Sequence, residues 1–228
     1  MSDSYLSKRA QLATYFDQTA SKTWERLTSD APVSRIRATV RAGREEMATT
    51  LLSMLPKDLS GLRVLDAGCG AGPLSIEMAK RGADVVGIDI SASLVDVARR
   101  RTPESLSGRI TYTVGDMLSP GMGTFDAIVA MDSLIHYKGE DIAKSLVRLA
   151  QLTSGPIVFT VAPRTLPLTL MHWVGKAFPR SDRSPAIIPV VPGRLSRTAQ
   201  RHLLHRIVVP GPRIARGFYI SQAMEVRP

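Results

Sequence analysis

Four groups of residues carry spacings that point to chemistry. The first is VLDAGCGAG, Val64 to Gly72, where a short apolar run ends at Asp66 and Gly68, Gly70 and Gly72 recur at every second position. Glycines so placed let the backbone turn tightly and approach a ligand closely at a strand end. The dinucleotide spacing G-x-G-x-x-G wants a small residue at position 73, which is Pro73, so the plain NAD fingerprint is not met. The second is Asp89, 23 residues after Asp66 at the end of the next apolar run. A carboxylate there can take both hydroxyls of a ribose, or it can serve as an acid at a helix N-terminus ahead of Ser91. The third is Gly115-Asp116-Met117. Its acid and a neighbouring backbone amide can read the edge of an adenine while Met117 packs on the face; the plain alternative is an acid in a loop. The fourth is FDAIVAMDSLIHY, Phe125 to Tyr137, whose strand ends near Met131 and delivers Asp132, His136 and Tyr137 to the edge where open α/β sheets bind ligands.

The elements that must position these residues follow from periodicity. Strands are expected at Leu62–Asp66, Asp84–Ile88, Ile110–Val114, Phe125–Ala130 and Pro156–Val161, alternating with helices at Pro73–Arg81, from Ser91 to about Arg101, and at Gly139–Leu152. Pro73 suits a first helical turn and Ser91 an N-cap. Alternation of this kind means a doubly wound, mostly parallel sheet. Two helices precede it, Tyr5–Ala20 and Val33–Leu55, separated by a break at Ser29-Asp30-Ala31-Pro32 and stopped by Pro56. After Ala162 the rhythm fails. Pro163 to Leu195 holds six prolines, with helical character only around Leu168–Ala177 and Leu195–Leu204. Strands return at about His205–Val209 and Gly217–Val226, and their spacing suits an antiparallel hairpin turning at Pro210-Gly211-Pro212. The expected division is a helical arm or lid at 1–56, a nucleotide-binding core at 57–162, an insertion at 163–203 and a strand hairpin at 204–228 that completes a seven-stranded sheet with its last strand antiparallel.

The chain has 228 residues and one cysteine, which excludes an internal disulfide or a cysteine-rich zinc site. No apolar run approaches the ~20 residues that span a bilayer, and the N-terminus lacks a secretory pattern, so a cytoplasmic protein is expected. The net charge of +10 is unevenly placed. Met1 to Gly155 holds 19 basic and 18 acidic residues, whereas Pro156 to Pro228 holds 11 basic and 2 acidic. A basic segment suggests nucleic acid, but it carries few aromatics among its arginines and no recognised RNA-binding module.

Taken together, the four motifs resemble the class I S-adenosylmethionine-dependent methyltransferases over about Leu62 to Val161. A narrower resemblance covers essentially the whole chain. YFDQTASKTWERLTSDAPVSRIR, AMDSLIHY, FTVAPRTLP with AFPRSDRSPAI, and GFYISQAMEV look like the magnesium-protoporphyrin IX methyltransferases, closest to the bacteriochlorophyll branch. Ala71 departs from relatives that often carry a hydroxyl there.

The resemblance implies S-adenosyl-L-methionine as cofactor, with Gly68 and Gly70 against its methionine end, Asp89 on the ribose and Asp116 with Met117 on the adenine. Asp66, Ile90 and Met131 complete the expected set. It implies methyl transfer to one propionate of magnesium-protoporphyrin IX. Such an acid is ionised at neutral pH (pKa ~4.3 by analogy with Glu), so no general base is needed. Donor and acceptor charges annihilate in the reaction, so a dry, shaped site helps and a cation on the attacking oxygen hinders. Positioning supplies up to roughly 7–11 kcal/mol in favourable cases. Tyr15 and His136 are expected to orient the attacking propionate through neutral hydrogen bonds. Arg164, Arg180 and Arg183 are expected to bind the second propionate, with Leu166, Leu168, Leu170, Met171, Trp173 and Phe178 over the macrocycle. The implied pathway makes the magnesium chelatase large subunit a partner, and the basic last third suggests peripheral contact with an inner or photosynthetic membrane. The alternatives are a methyltransferase for another small molecule, such as a quinone precursor, and a basic nucleic-acid-binding protein.

Overall fold

The computed structural model describes residues 2–20, 35–164, 186–203 and 205–228. Its centre is a seven-stranded sheet in the order β3-β2-β1-β4-β5-β7-β6. The strands are β1 (Arg63–Ala67), β2 (Asp84–Asp89), β3 (Arg109–Val114), β4 (Ala127–Ala130), β5 (Ile157–Val161), β6 (Ile207–Arg216) and β7 (Tyr219–Arg227). The first five run parallel, and β7 pairs antiparallel with both β5 and β6. The expected fold class stands. The order reverses at β1, whose Leu65 lies between Val86 and Ile128. That reversal opens a crevice at the carboxyl ends of the strands.

Period-two alternation explains why both faces of the sheet are covered. Leu65, Ala67, Ile128, Ala130, Ile157 and Phe159 point to one core, and Val64, Val85, Ala127, Val129 and Val158 to the other. The first core is closed by α5 (Gly139–Ala150) and α6 (Pro192–Gln200), through Ile142, Leu146, Leu149, Leu195 and Ala199. The second is closed by α2 (Arg35–Ser53) and α3 (Pro73–Lys80), through Met47, Leu51, Leu74 and Met78. Fully burying one such side chain contributes roughly 1.5–3 kcal/mol.

Residues 1–56 thus divide in two. The second helix is a core layer, with Met47 and Leu51 fully buried. The first, α1 (Asp3–Thr14), continues into a π-helical turn, Tyr15–Ala20, and lies over the carboxyl edge of the sheet. α4 (Ala92–Arg101) starts as expected, with Ser91 Oγ accepting from Leu94 N. The break at 29–32 and the helix at 168–177 lie outside the described residues.

The terminal hairpin turns elsewhere than expected. Arg216 pairs with Tyr219, so the loop is Gly217-Phe218, and Pro210-Gly211-Pro212 sits within β6 where the register shifts. Gly217 has φ +55° at the first loop position, as a type II′ turn requires. β6 is the sheet's edge, where prolines forfeit no outer ladder bonds and a bulge absorbs the one extra residue between Pro210 and Arg213. The proline–glycine cluster therefore marks an irregular edge and not a reversal.

Candidate active site

The glycine turn is held by short-range backbone bonds. Gly68 N and Cys69 N both donate to Ile88 O, at 2.8 and 3.1 Å. Asp89 accepts from Gly70 N and from Ser91 N, each at 2.9 Å, so one carboxylate ties the turn to the start of α4. The helix-start role of this acid is therefore present together with its position at the ligand edge. Gly68 has φ +88°, and a Cβ there would meet Ser133 Cβ at 2.3 Å. Gly70 has φ +53° with open space on its side-chain side, the shape of a cradle for a ligand.

Beneath the turn Asp66 is 1 % exposed and accepts from Ser75 Oγ at 2.5 Å. Burial, with the charge of Asp89 adding to it, pushes its carboxyl up to about 7. Burial also raises Asp89, against the lowering effect of its backbone donors. A buried and a half-buried acid whose ionised forms are disfavoured gain from a nearby cation. The ammonium and sulfonium of S-adenosylmethionine supply such a cation, so the residues present fit that group.

The arm meets this edge through partners that sequence reasoning missed. Tyr5 Oη donates to Asp116 Oδ1 at 2.8 Å and Arg9 Nη1 to Asp116 Oδ2 at 2.8 Å, while Leu118 N donates to Oδ1 at 2.9 Å. The expected adenine reader is thus also the seat of the arm. Tyr5 stacks on Tyr137 with ring centroids 4.8 Å apart. Asp17 accepts from Ser91 Oγ at 2.7 Å and Ser93 N at 3.2 Å. Ser2 and Ser4 donate to Asp141 in the first turn of α5. These contacts span 74 to 139 positions, and no local pattern announces them.

A cavity of about 720 Å³ runs beneath the arm. Its wall brings together Tyr15, Gly70, Asp89, Met131, His136 and Arg44. Asp66, Gly68, Ile90, Asp116 and Met117 line it too, so all eight expected cofactor residues and both expected catalytic residues reach one space. Burial raises the Tyr15 phenol, which therefore stays protonated. Burial pulls His136 down to about 4, so its ring is neutral at physiological pH. His136 Nδ1 lies 3.3 Å from Ala186 O. A carbonyl only accepts, so Nδ1 carries the proton and Nε2 is left as an acceptor. With this tautomer His136 has no N–H left for an ionised propionate, so of the two expected orienting hydrogen bonds the one that remains available is from Tyr15.

Arg164 is exposed, does not line the cavity, and bonds Val190 O through its backbone N at 2.7 Å. Arg180 and Arg183, with the apolar residues expected over the macrocycle, lie outside the described residues. The arginines on the described cavity wall include Arg41 and Arg44 of α2. Arg44 Nη1 meets Asp132 Oδ2 at 2.6 Å. Asp132 is the non-glycine residue with a left-handed backbone, φ 55°, among the described residues. Among those residues no helix is long and apolar enough to cross a membrane.

Comparison with known proteins adds to this geometry. Residues 130–228 match the family model described as the magnesium-protoporphyrin IX methyltransferase C-terminus, and residues 64–154 match a methyltransferase domain. The chain is 49% identical over 229 residues to magnesium-protoporphyrin O-methyltransferase from Rhodobacter capsulatus, covering 100% of both chains. It is 33% identical over 188 residues to the Synechocystis sp. enzyme of the same name, covering 81% of each. The crystal structure of magnesium protoporphyrin IX methyltransferase from Synechocystis PCC 6803 with bound SAH superposes with a TM-score of 0.84. That match has 27% identity and covers 96% of this chain and 98% of the other.

Proposed function

The chain belongs to the magnesium-protoporphyrin O-methyltransferase family, and from that premise we propose how its residues divide the work. The activity is S-adenosyl-L-methionine-dependent methylation of magnesium-protoporphyrin IX in (bacterio)chlorophyll biosynthesis, which gives the monomethyl ester. The match over the full chain, including the segment beyond the generic domain, favours this reading over the quinone-precursor and nucleic-acid alternatives. When bound, S-adenosylmethionine supplies an electrophilic methyl on sulfur.

The observation that carries the division of work is the single cavity shared by the glycine turn and by Tyr15 and His136. Gly68, Gly70, Asp66 and Asp89 hold the amino-acid and ribose end of the cofactor, while Ile90, Asp116, Met117 and Met131 enclose the rest. Tyr15, protonated and on the arm, donates to the attacking propionate and orients one lone pair at the methyl. His136 contributes a neutral edge with its N–H committed to Ala186, so this residue brings no charge to the carboxylate before attack. The arm, 2–20, excludes water from the site, and the binding of the second propionate expected of the insertion falls to Arg180 and Arg183, since Arg164 stands off the cavity wall and α6 belongs to the core.

The substrate is the product of magnesium insertion and is poorly soluble, which supports direct handover from the magnesium chelatase large subunit. Exposed Phe218 in the hairpin loop, with exposed Arg213 and Arg216 near it in β6, supports peripheral contact with an anionic membrane.

A methyl-transfer assay with magnesium-protoporphyrin IX tests the reading, with metal-free protoporphyrin and bulk RNA as controls. Ester formation on the magnesium porphyrin is expected. Tyr15→Phe and His136→Ala should each lower turnover far more than affinity for S-adenosylhomocysteine; unchanged turnover in both overturns the assigned roles.

A further inference from the structure

We propose that Arg44, held by Asp132, is a carboxylate-binding residue of this cavity. Its ligands rest on the functional reading above. Arg44 on α2 and Asp132 beyond β4 are 88 positions apart, and their side chains are only 19% and 7% exposed. An ion pair so far from water recovers little net stability, because desolvation offsets the attraction. Yet the fold fixes this one from several sides. Tyr219 Oη donates to Asp132 Oδ1 at 3.1 Å, and Asp132 N donates to Thr160 Oγ1 at 2.7 Å. Asp132 adopts φ 55° to make these contacts. Backbone of this kind persists where surrounding structure over-determines it, and it clusters at functional sites.

The result is a guanidinium with a fixed seat on the cavity wall. Arg41, one helical turn earlier, lines the same space, and Glu45 and Glu77 are acids that also border it. The planar fork of a guanidinium matches a carboxylate in a way that an ammonium does not. The seat adjoins the glycine turn, since Ser133, next to Asp132, packs directly against Gly68. Two carboxylates of the reaction come to this cavity, the methionyl carboxylate of the cofactor and the propionate of the porphyrin that is not methylated. Contact with Gly68 places Arg44 toward the first. Either assignment keeps the cation off the attacking oxygen, as the charge-annihilating chemistry requires.

The test compares ligand pairs that differ only at the carboxylate end, titrated by fluorescence or calorimetry. One pair is S-adenosylhomocysteine and 5′-methylthioadenosine, which lacks the amino-acid tail. The other is magnesium-protoporphyrin IX and its isomeric monoester, esterified at the propionate that the enzyme leaves free. The wild-type protein is expected to prefer one tail-bearing ligand by about tenfold or more. Arg44→Gln should bring that ratio close to one while leaving the tail-less partner's affinity unchanged. Collapse of the first ratio assigns the methionyl carboxylate, and collapse of the second assigns the propionate. Arg44→Lys, a point charge without the fork, should retain part of the preference and covers the case in which the glutamine variant does not fold. Tyr219→Phe loosens Asp132 without touching the guanidinium and should lower the affected ratio by less than Arg44→Gln does. The proposal is overturned if a cooperatively melting Arg44 variant keeps both ratios, or if Tyr219→Phe collapses a ratio that Arg44→Gln leaves in place. Wild-type protein that esterifies no magnesium-protoporphyrin IX would instead overturn the functional reading, and the S-adenosylhomocysteine comparison would still report on Arg44.

Discussion

Asp89 and Asp116 both stand at the carboxyl edge of the sheet, and they are partnered in opposite ways. Asp89 takes backbone amides, Gly70 N and Ser91 N, 19 and 2 positions away. Asp116 takes two side chains from the arm, Tyr5 and Arg9, 111 and 107 positions away. Backbone donors exist whatever residues carry them, so the glycine turn organises itself wherever strand, turn and helix occur in that order. The arm's seat exists only because specific side chains arrive from far away. The carboxyl edge of this methyltransferase combines a glycine turn built largely on backbone donors with a cover whose position is a tertiary result.

Gly68→Ala should have the largest effect. It adds a Cβ at φ +88° against Ser133, at about 1–3 kcal/mol of backbone strain and a further ~1–3 kcal/mol of overpacking. Affinity for S-adenosylhomocysteine should fall by roughly 100-fold or more in calorimetry. A tightly binding variant would break the view that the turn is rigid.

Tyr5→Phe comes next. It leaves Asp116 Oδ1 with one donor fewer and should lower stability by about 1–3 kcal/mol in urea unfolding. Hydrogen exchange should quicken in residues 3–14 while the sheet stays protected; equal loss across the sheet would mean that the arm is not separable from the core.

The pH dependence of the ligand-free protein sharpens the contrast further. Asp66, pushed up to about 7 from an unfolded value of ~3.9, keeps a proton that the unfolded chain releases. Its contribution is therefore full below pH ~4 and is lost as pH rises through 7. His136, pulled down to about 4 from ~6.5, does the reverse, and its contribution is lost as pH falls from ~6.5 through 4. The two slopes oppose each other in the wild-type protein. Asp66→Asn should unmask a stability that rises from pH 4 to 6.5, and His136→Gln one that falls from pH 4 to 7. Identical profiles in both variants would remove the assignment.

The smallest effect belongs to Arg216→Ala. Its pair with Glu46 has side chains 61% and 40% exposed and is screened by solvent. No measurable change in melting temperature is expected.

Much of the core was legible because its signals are local. The strand–turn–helix order, the Ser91 cap and the acid after each strand are fixed by neighbours a few residues apart. The hairpin turn was misplaced because proline and glycine punctuate both reversals and edge bulges, and which of the two occurs depends on whether β6 is an edge. The burial of α2 was missed because its apolar stripe looks the same on an arm as in a core layer. Arg164 was expected at the substrate and stands exposed off the cavity wall, while Arg44, which lines it, lay in a helix taken for part of the arm.

The sequence alone determined the class of sheet, the glycine turn, and the acids Asp66 and Asp89 at the strand ends, because periodicity and glycine spacing encode backbone shape directly. Only the tertiary structure decided that Tyr5 and Arg9 share Asp116 with the site. It alone decided that His136 is neutral with its proton on Nδ1, and that Arg44 is seated by Asp132. Each of those depends on burial and on partners brought together across many tens of residues, and a linear pattern carries neither.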